Sequence, residues 1–181
     1  MRLYTVDEAY VSTLNKIDSE VYYNTTGYDR KPYIGIIVVS GGYNYFIPLS
    51  SAKPKHKTWK NVTEYNYLIY EFVDVSKMTE KSIYVAKKDS SDVKHIVAVL
   101  EIRKMIPVPN GLYHEIDITK IPDAAYRDLL NKEYRFLKPL FTTIQKKADI
   151  IYQFQIKTGK VFPLFCDFRK LEKICDTYAS K

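Results

Sequence analysis

Cysteine is scarce: Cys166 and Cys175 are the only two among 181 residues. Their spacing matches no zinc or redox motif, so both read as reduced thiols of a cytoplasmic protein. The three histidines, His56, His95 and His114, are scattered, and no pair has ligand spacing on a helix. The sequence therefore predicts no metal site, and it offers no cofactor motif. No apolar run approaches the length of a membrane span. The start, Met1-Arg2-Leu3-Tyr4, lacks the apolar stretch of a signal peptide, and the expectation is a soluble, cytoplasmic chain with no membrane partner. Linkers, repeats and low-complexity tracts are missing too, which leaves one domain over residues 1–181. Acidic residues are absent from one stretch in particular: none falls between Ser50 and Val62.

What is present has a sign. Lys plus Arg number 28 against 21 Asp plus Glu, a net charge of +7 that favours a polyanionic partner. Seventeen tyrosines add flat faces for base stacking and hydroxyls for phosphate or ribose, although tyrosine is equally a good strand former. The acid-free stretch carries both themes. Pro48-Leu49-Ser50-Ser51-Ala52-Lys53 ends an apolar strand pattern with two hydroxyls and a lysine. Pro54-Lys55-His56-Lys57-Thr58-Trp59-Lys60 then continues almost wholly positive.

The periodicities describe an α+β chain, a mostly antiparallel sheet followed by a helix-rich C-terminal third. Leu3 to Val6 reads as a short strand, and Asp7 caps a helix to Ile17. Residues from Asp18 to Lys31 read as a loop. Tyr33 to Val39 and Tyr43 to Leu49 form a hairpin about Gly41-Gly42, its first arm apolar enough to be central. Further strands are expected over Tyr65 to Val75, Ser82 to Ala86, His95 to Leu100 and Leu112 to Ile118. Met105 to Pro109 should lie at an edge, because proline cannot donate to a ladder. From Asp123 the pattern becomes helical, with Leu129, Leu130, Tyr134 and Leu137 on one face. A break is expected near Lys138, then a helix from Pro139 to Lys157 with Leu140, Ile144, Ala148, Ile151 and Phe154 inward. A last helix follows, capped by Asp167.

Cleaving RNA through its own 2′-hydroxyl needs three things: a group to take that proton, charge or donors for the phosphorane, and a proton for the leaving 5′ oxygen. Lys53 can supply charge, and Ser50 and Ser51 can hydrogen-bond the non-bridging oxygens. Ser51 has a positioning or relay role, since an unaided serine is a poor base. The same residues equally suit plain phosphate binding or a solvated surface. Tyr28, Arg30 and Lys31 enter the strand that pairs with the one carrying Ser50, so the hairpin should bring them toward Ser50, Ser51 and Lys53. Lys55, His56, Lys57, Trp59 and Lys60 would form an RNA-holding rim, with His56 read as a nucleic-acid contact or exposed to solvent, and an acid or base role as the alternative. A non-catalytic RNA-binding module would use the same cleft. A metal-dependent nuclease would need clustered carboxylates, which the basic loop lacks.

With these residues in view the chain resembles the ToxN/AbiQ family of toxin endoribonucleases. The resemblance runs through Met1 to Thr5, Lys31-Pro32-Tyr33-Ile34-Gly35-Ile36, Tyr45 to Lys53, Met105-Ile106-Pro107-Val108, Tyr126 to Leu137, Cys166-Asp167-Phe168 and Leu171-Glu172. It implies a compact, highly twisted sheet related to the MazF/Kid toxins and elaborated with helices. It implies metal-independent cleavage of cellular and phage RNA to 2′,3′-cyclic phosphate and 5′-hydroxyl ends. It also implies inhibition by a repeated pseudoknot RNA that the toxin cuts from a precursor, assembly with that RNA into a closed ring, and a role in abortive infection. The family's Thr/Ser-Ser-Pro-Lys motif falls on Ser50, Ser51, Ala52 and Lys53, with Ser for Thr and Ala52 for proline. Its upstream tyrosine and lysine fall on Tyr28 and Lys31.

Overall fold

The computed structural model describes residues 1–23, 32–38, 41–88 and 90–179. Eight strands form one sheet: β1 (Arg2–Val6), β2 (Tyr33–Val38), β3 (Asn44–Ser51), β4 (Asn66–Asp74), β5 (Tyr84–Ala86), β6 (Asp92–Glu101), β7 (Ile106–Pro107) and β8 (Tyr113–Glu115). Their order is β4-β6-β3-β2-β1-β8, with β5 added to β6 and β7 to β3, and every pairing is antiparallel. Among the described residues four α-helices complete the fold: α1 (Glu8–Ile17), α2 (Ala124–Leu137), α3 (Phe141–Thr158) and α4 (Phe168–Ala179).

Strand β3 joins the two parts of the sheet. Along one edge it pairs with β2, Tyr33 opposite Pro48. Along the other it changes partner: Tyr45 and Phe46 lie against β7, while Leu49, Ser50 and Ser51 lie against Leu100, Val99 and Ala98 of β6. A strand that changes neighbours midway belongs to a strongly twisted sheet. The apolar hairpin forms as its pattern predicts, with Gly42 at φ 83° in the turn, and β2 sits inside the sheet between β1 and β3. The Ile106–Pro107 pair is short and flanks β3, as proline demands.

The helices obey their caps. Asp7 accepts from the Tyr10 N–H, and Asp123 accepts from those of Ala125 and Tyr126. The expected break falls at a 3-10 turn, Lys138–Leu140, and α3 starts at Phe141 rather than at Pro139. Gly159 ends α3 at φ 68°. Ile144, Ala148 and Ile151 face inward as expected, whereas Leu140 and Phe154 are half-buried and Tyr152 and Gln155 take their places in the core.

One core cluster gathers β1, β2, β3, the end of β6 and the inner faces of all four helices. Its aromatic centre is Tyr45, whose ring lies edge-on to Tyr152 and Phe168 at 5.7 and 5.5 Å. The Tyr45 hydroxyl donates to Glu172 Oε1 at 2.9 Å, so α4 is tied to the hairpin by a buried bond. Burial raises the Glu172 carboxyl above its usual range. At Gly41 a Cβ would lie 1.9 Å from the Tyr152 hydroxyl, so no larger residue fits there. The consequence for function is that the end of β3 is braced from three sides: by β2, by β6 and by the core beneath.

Candidate RNA-processing site

Ser50 and Ser51 are the last two residues of β3, inside the ladder rather than beyond it. Cross-strand pairing alternates their side chains between the sheet's two faces. Ser50 is half-buried, its hydroxyl 3.5 Å from the Val99 carbonyl, while Ser51 is exposed. Ala52 packs on a small second cluster, Leu68, Ile96 and Val99, and Lys53 is exposed. Two hydroxyls and an ammonium therefore stand on a strand end whose backbone is fixed, a favourable place for groups that must hold a phosphodiester in register.

The basic run that follows is folded. Pro54–Thr58 form a 3-10 turn, and the residue that closes it is His56. Its Nδ1 accepts the Lys53 N–H at 2.9 Å, and its own N–H donates to the Lys53 carbonyl at 2.8 Å. His56 is 2% exposed. This corrects the sequence expectation of a solvent-facing RNA contact: the imidazole lies inside, and it shapes the backbone at Lys53. Burial, seconded by the positive charge of Lys55, holds its pKa below the ordinary histidine value. The neutral ring that can accept at Nδ1 is thus the favoured form.

Lys55, Lys57 and Lys60 are exposed around this turn, as a basic rim requires. Trp59 is half-buried. It packs on the second cluster, lies 4.6 Å from the His56 ring and has Lys55 Nζ and Arg103 Cζ over it at 5.4 and 5.9 Å. Its faces are partly taken by cations of the same chain. Arg103 is in turn held by Glu101 Oε2 through Nε and Nη2 at 2.9 and 2.7 Å, and the Tyr22 hydroxyl donates to the other Glu101 oxygen. Sequence reading missed this support; Glu101 and Arg103 are far along the chain, and only the β3–β6 pairing brings them to the turn.

Tyr28, Arg30 and Lys31 lie outside the described residues. Pro32, the first described residue after them, accepts the Leu49 N–H at 2.9 Å, beside the strand end that carries the serines.

On the other side of Ser51 is an open polar depression of about 310 Å³. Ser51 and Ala52 line it together with Thr79, Lys81, Ser82 and His95. His95 Nδ1 lies 3.1 Å from Glu71 Oε1, and Lys132 of α2 donates to the same oxygen at 2.9 Å. Burial works to raise the Glu71 carboxyl, but its hydrogen bonds to Lys132 and His95 prevail and hold it below the usual carboxylate range. None of these residues is marked by a local motif. They meet through strand register, which a linear pattern does not display. Among the described residues no three His, Cys, Asp or Glu side chains gather to hold a metal ion, and no helix is long and apolar enough to cross a membrane.

Comparison with known proteins bears on this arrangement as a whole. A family model described as toxin ToxN, type III toxin-antitoxin system, matches residues 2–176. An endoribonuclease ToxN of Bacillus thuringiensis subsp. kurstaki is 29% identical over 189 aligned residues, covering 99% of this chain and 85% of that protein. An endoribonuclease AbiQ of Lactococcus lactis subsp. lactis is 24% identical, covering 100% and 91%. A solved structure concerned with selective toxin inhibition by a non-coding RNA pseudoknot in bacterial type III systems superposes with a TM-score of 0.75. It is 25% identical, with 99% of this chain and 98% of that one covered. The structure of AbiQ, a lactococcal anti-phage endoribonuclease, superposes at 0.70 with 24% identity, covering 99% and 98%, and supports the fold.

Proposed function

Since the chain belongs to the ToxN toxin family of type III toxin–antitoxin systems, we propose that it is a sequence-specific endoribonuclease toxin restrained by a cognate RNA. The observation that carries this reading is the strand end itself. Exposed Ser51 and Lys53 project from a backbone fixed by β6 and by His56, and exposed Lys55, Lys57 and Lys60 surround them. The relatives named endoribonucleases match across nearly the whole chain.

In the proposed reaction the 2′-hydroxyl attacks the adjacent phosphorus, the bond to the 5′ oxygen breaks, and the products are a 2′,3′-cyclic phosphate and a 5′-hydroxyl. No metal takes part. Lys53 stabilises the charge on the phosphorane oxygens, Ser51 positions them, Ser50 helps from the other face of the strand end, and Tyr28 and Lys31 complete the catalytic group. Arg30, Lys55, Lys57, Trp59 and Lys60 hold the RNA. His56 acts beneath that surface by setting the Lys53 backbone. The partner is a repeated pseudoknot RNA that the toxin cuts from its precursor and with which it closes into a ring. Release of the toxin in the cytoplasm of an infected cell halts growth and aborts phage infection, the whole chain acting as one toxin domain.

The test is to incubate fresh protein with A-rich RNA in EDTA and map the ends. Cyclic phosphate and 5′-hydroxyl ends are expected. Intact RNA would instead mark a non-catalytic RNA-binding module, and activity only after metal is restored would mark metal-assisted hydrolysis. Lys53→Ala is expected to abolish growth arrest without unfolding the protein. Full toxicity from a well-expressed Lys53→Ala chain would remove the central role given to Lys53.

A further inference from the structure

Strand scission needs a proton for the 5′ oxygen as it leaves, and neither a serine nor a rim lysine is an obvious donor. The register of β6 supplies one. Ser51 pairs with Ala98, and directly opposed residues share a face of the sheet. Ala98 also pairs with Ile69 of β4, and two residues further along β4, on that same face, Glu71 pairs with His95. In a regular strand Ala98 and His95, three positions apart, would face opposite ways. They do not, because the register slips between Ile69 and Tyr70 and leaves Val97 as the extra residue of a bulge. The bulge turns His95 onto the face of Ser51. Both line the same polar depression, about 10 Å apart along the strand at its backbone rise.

The imidazole is held for work at its other nitrogen. Nδ1 is engaged by Glu71, Glu71 is clamped by Lys132, and among the described residues nothing hydrogen-bonds Nε2. A carboxylate that fixes one ring nitrogen sets the orientation of the ring and leaves the second nitrogen to exchange a proton with a substrate. The side chain is about a quarter exposed, 23%, so substrate can reach it. Charged groups near it include Glu71, Lys132 and, lining the same depression, Lys81. Tyr84, its cross-strand neighbour on β5, lies under Lys57 Nζ at 5.5 Å, which joins this depression to the basic rim.

We propose that His95, oriented by Glu71, is a catalytic acid of this site, delivering a proton from Nε2 to the 5′ oxygen as the 2′ oxygen bonds to phosphorus and the P–O5′ bond breaks. The inference rests on the endoribonuclease reading above. The electron pair of the broken bond stays on the 5′ oxygen, the delivered proton makes it a hydroxyl, and the proton lost from the 2′-hydroxyl restores the balance through the base or solvent.

The test uses an RNA cut by the wild-type protein at a mapped site, made with oxygen or with sulfur at the bridging 5′ position. A thiolate leaves without protonation. His95→Ala is expected to slow cleavage of the oxygen substrate on the order of 100-fold and to cut the sulfur substrate within a few-fold of wild type, with its unfolding transition unchanged. Equal slowing on both substrates, or no slowing on either, overturns the assignment. His95→Gln, which keeps an amide in contact with Glu71, serves if the alanine variant is unstable, with the same expected split. Lys53→Ala slow on both substrates beside a fully active His95→Ala would sink this inference alone. Wild-type protein that cuts no RNA would remove the parent reading and this one together.

Discussion

Replacing His56 probes the link between fold and site most directly. His56 is almost wholly buried, and its Nδ1 receives the Lys53 N–H. His56→Ala removes that acceptor, which costs about 1–3 kcal/mol when the donor is left unpaired, and opens a cavity under Trp59 that adds a further loss of about 1–2 kcal/mol. Asn at this position keeps an acceptor near the place of Nδ1 and should recover roughly half of the total. The pH dependence has a definite sign. Burial lowers the folded-state pKa of His56 below that of the unfolded chain. Its contribution is therefore fully present above about pH 6.5 and is lost as pH falls through the folded value, by at most about 1.4 kcal/mol per pH unit. Urea unfolding of wild type, His56→Ala and His56→Asn between pH 8 and 5.5 measures this, with RNA cleavage followed in parallel at pH 8. Wild type should lose stability relative to both variants below pH 6.5, and His56→Ala should cleave more slowly than His56→Asn. Parallel stability curves, or a His56→Ala protein as stable and active as wild type, would refute the role of His56 as the brace of Lys53.

Other perturbations separate fold from site. Glu133 of α2 is 3% exposed, its Oε2 has no hydrogen-bond partner among the described residues, and burial pushes its pKa up to about 8. The folded state thus holds a proton that the unfolded state gives up above about pH 4.5, so stability should fall as pH rises toward 8. Glu133→Gln should flatten that slope and be more stable than wild type at pH 8 by a few kcal/mol; identical urea midpoints at pH 8 would contradict it. Tyr45→Phe removes one of the two tyrosine hydroxyls that bond Glu172, leaving that of Tyr152, and should cost about 0.5–1.5 kcal/mol in thermal or chemical unfolding. Gly159→Ala places a Cβ at φ 68° and should cost about 1 kcal/mol with no effect on cleavage, which makes it a control for stability alone. Trp59→Ala should weaken RNA binding and also lower stability, since the ring packs on the cluster beneath; RNA affinity by filter binding and the unfolding midpoint should fall together.

Much of the architecture could be read along the chain because its determinants are local. The hairpin follows from an apolar β-branched run, two glycines and a second apolar run. The helices follow from Asp7, Asp123 and Gly159 at their ends and from apolar residues at helical spacing. Ser50, Ser51 and Lys53 were legible as a candidate site for the same reason: hydroxyls and cations adjacent in sequence remain adjacent at a strand end. His56 was misread because its chain neighbours are all polar or charged, and nothing linear distinguishes a histidine inside a turn from one on its surface.

The sequence by itself determined the α+β class, the basic character and the acid-free stretch proposed to meet RNA, since composition, periodicity and capping act over a few residues. Only the tertiary structure decided which way His95 faces, that Glu71 and Lys132 hold it, and that Arg103 and Glu101 stand behind Trp59. Those relations depend on the pairing of β6 with β3 and β4, and on one bulged residue that reverses a side chain. Strand register couples residues distant in the chain through hydrogen bonds that carry no mark in the local pattern.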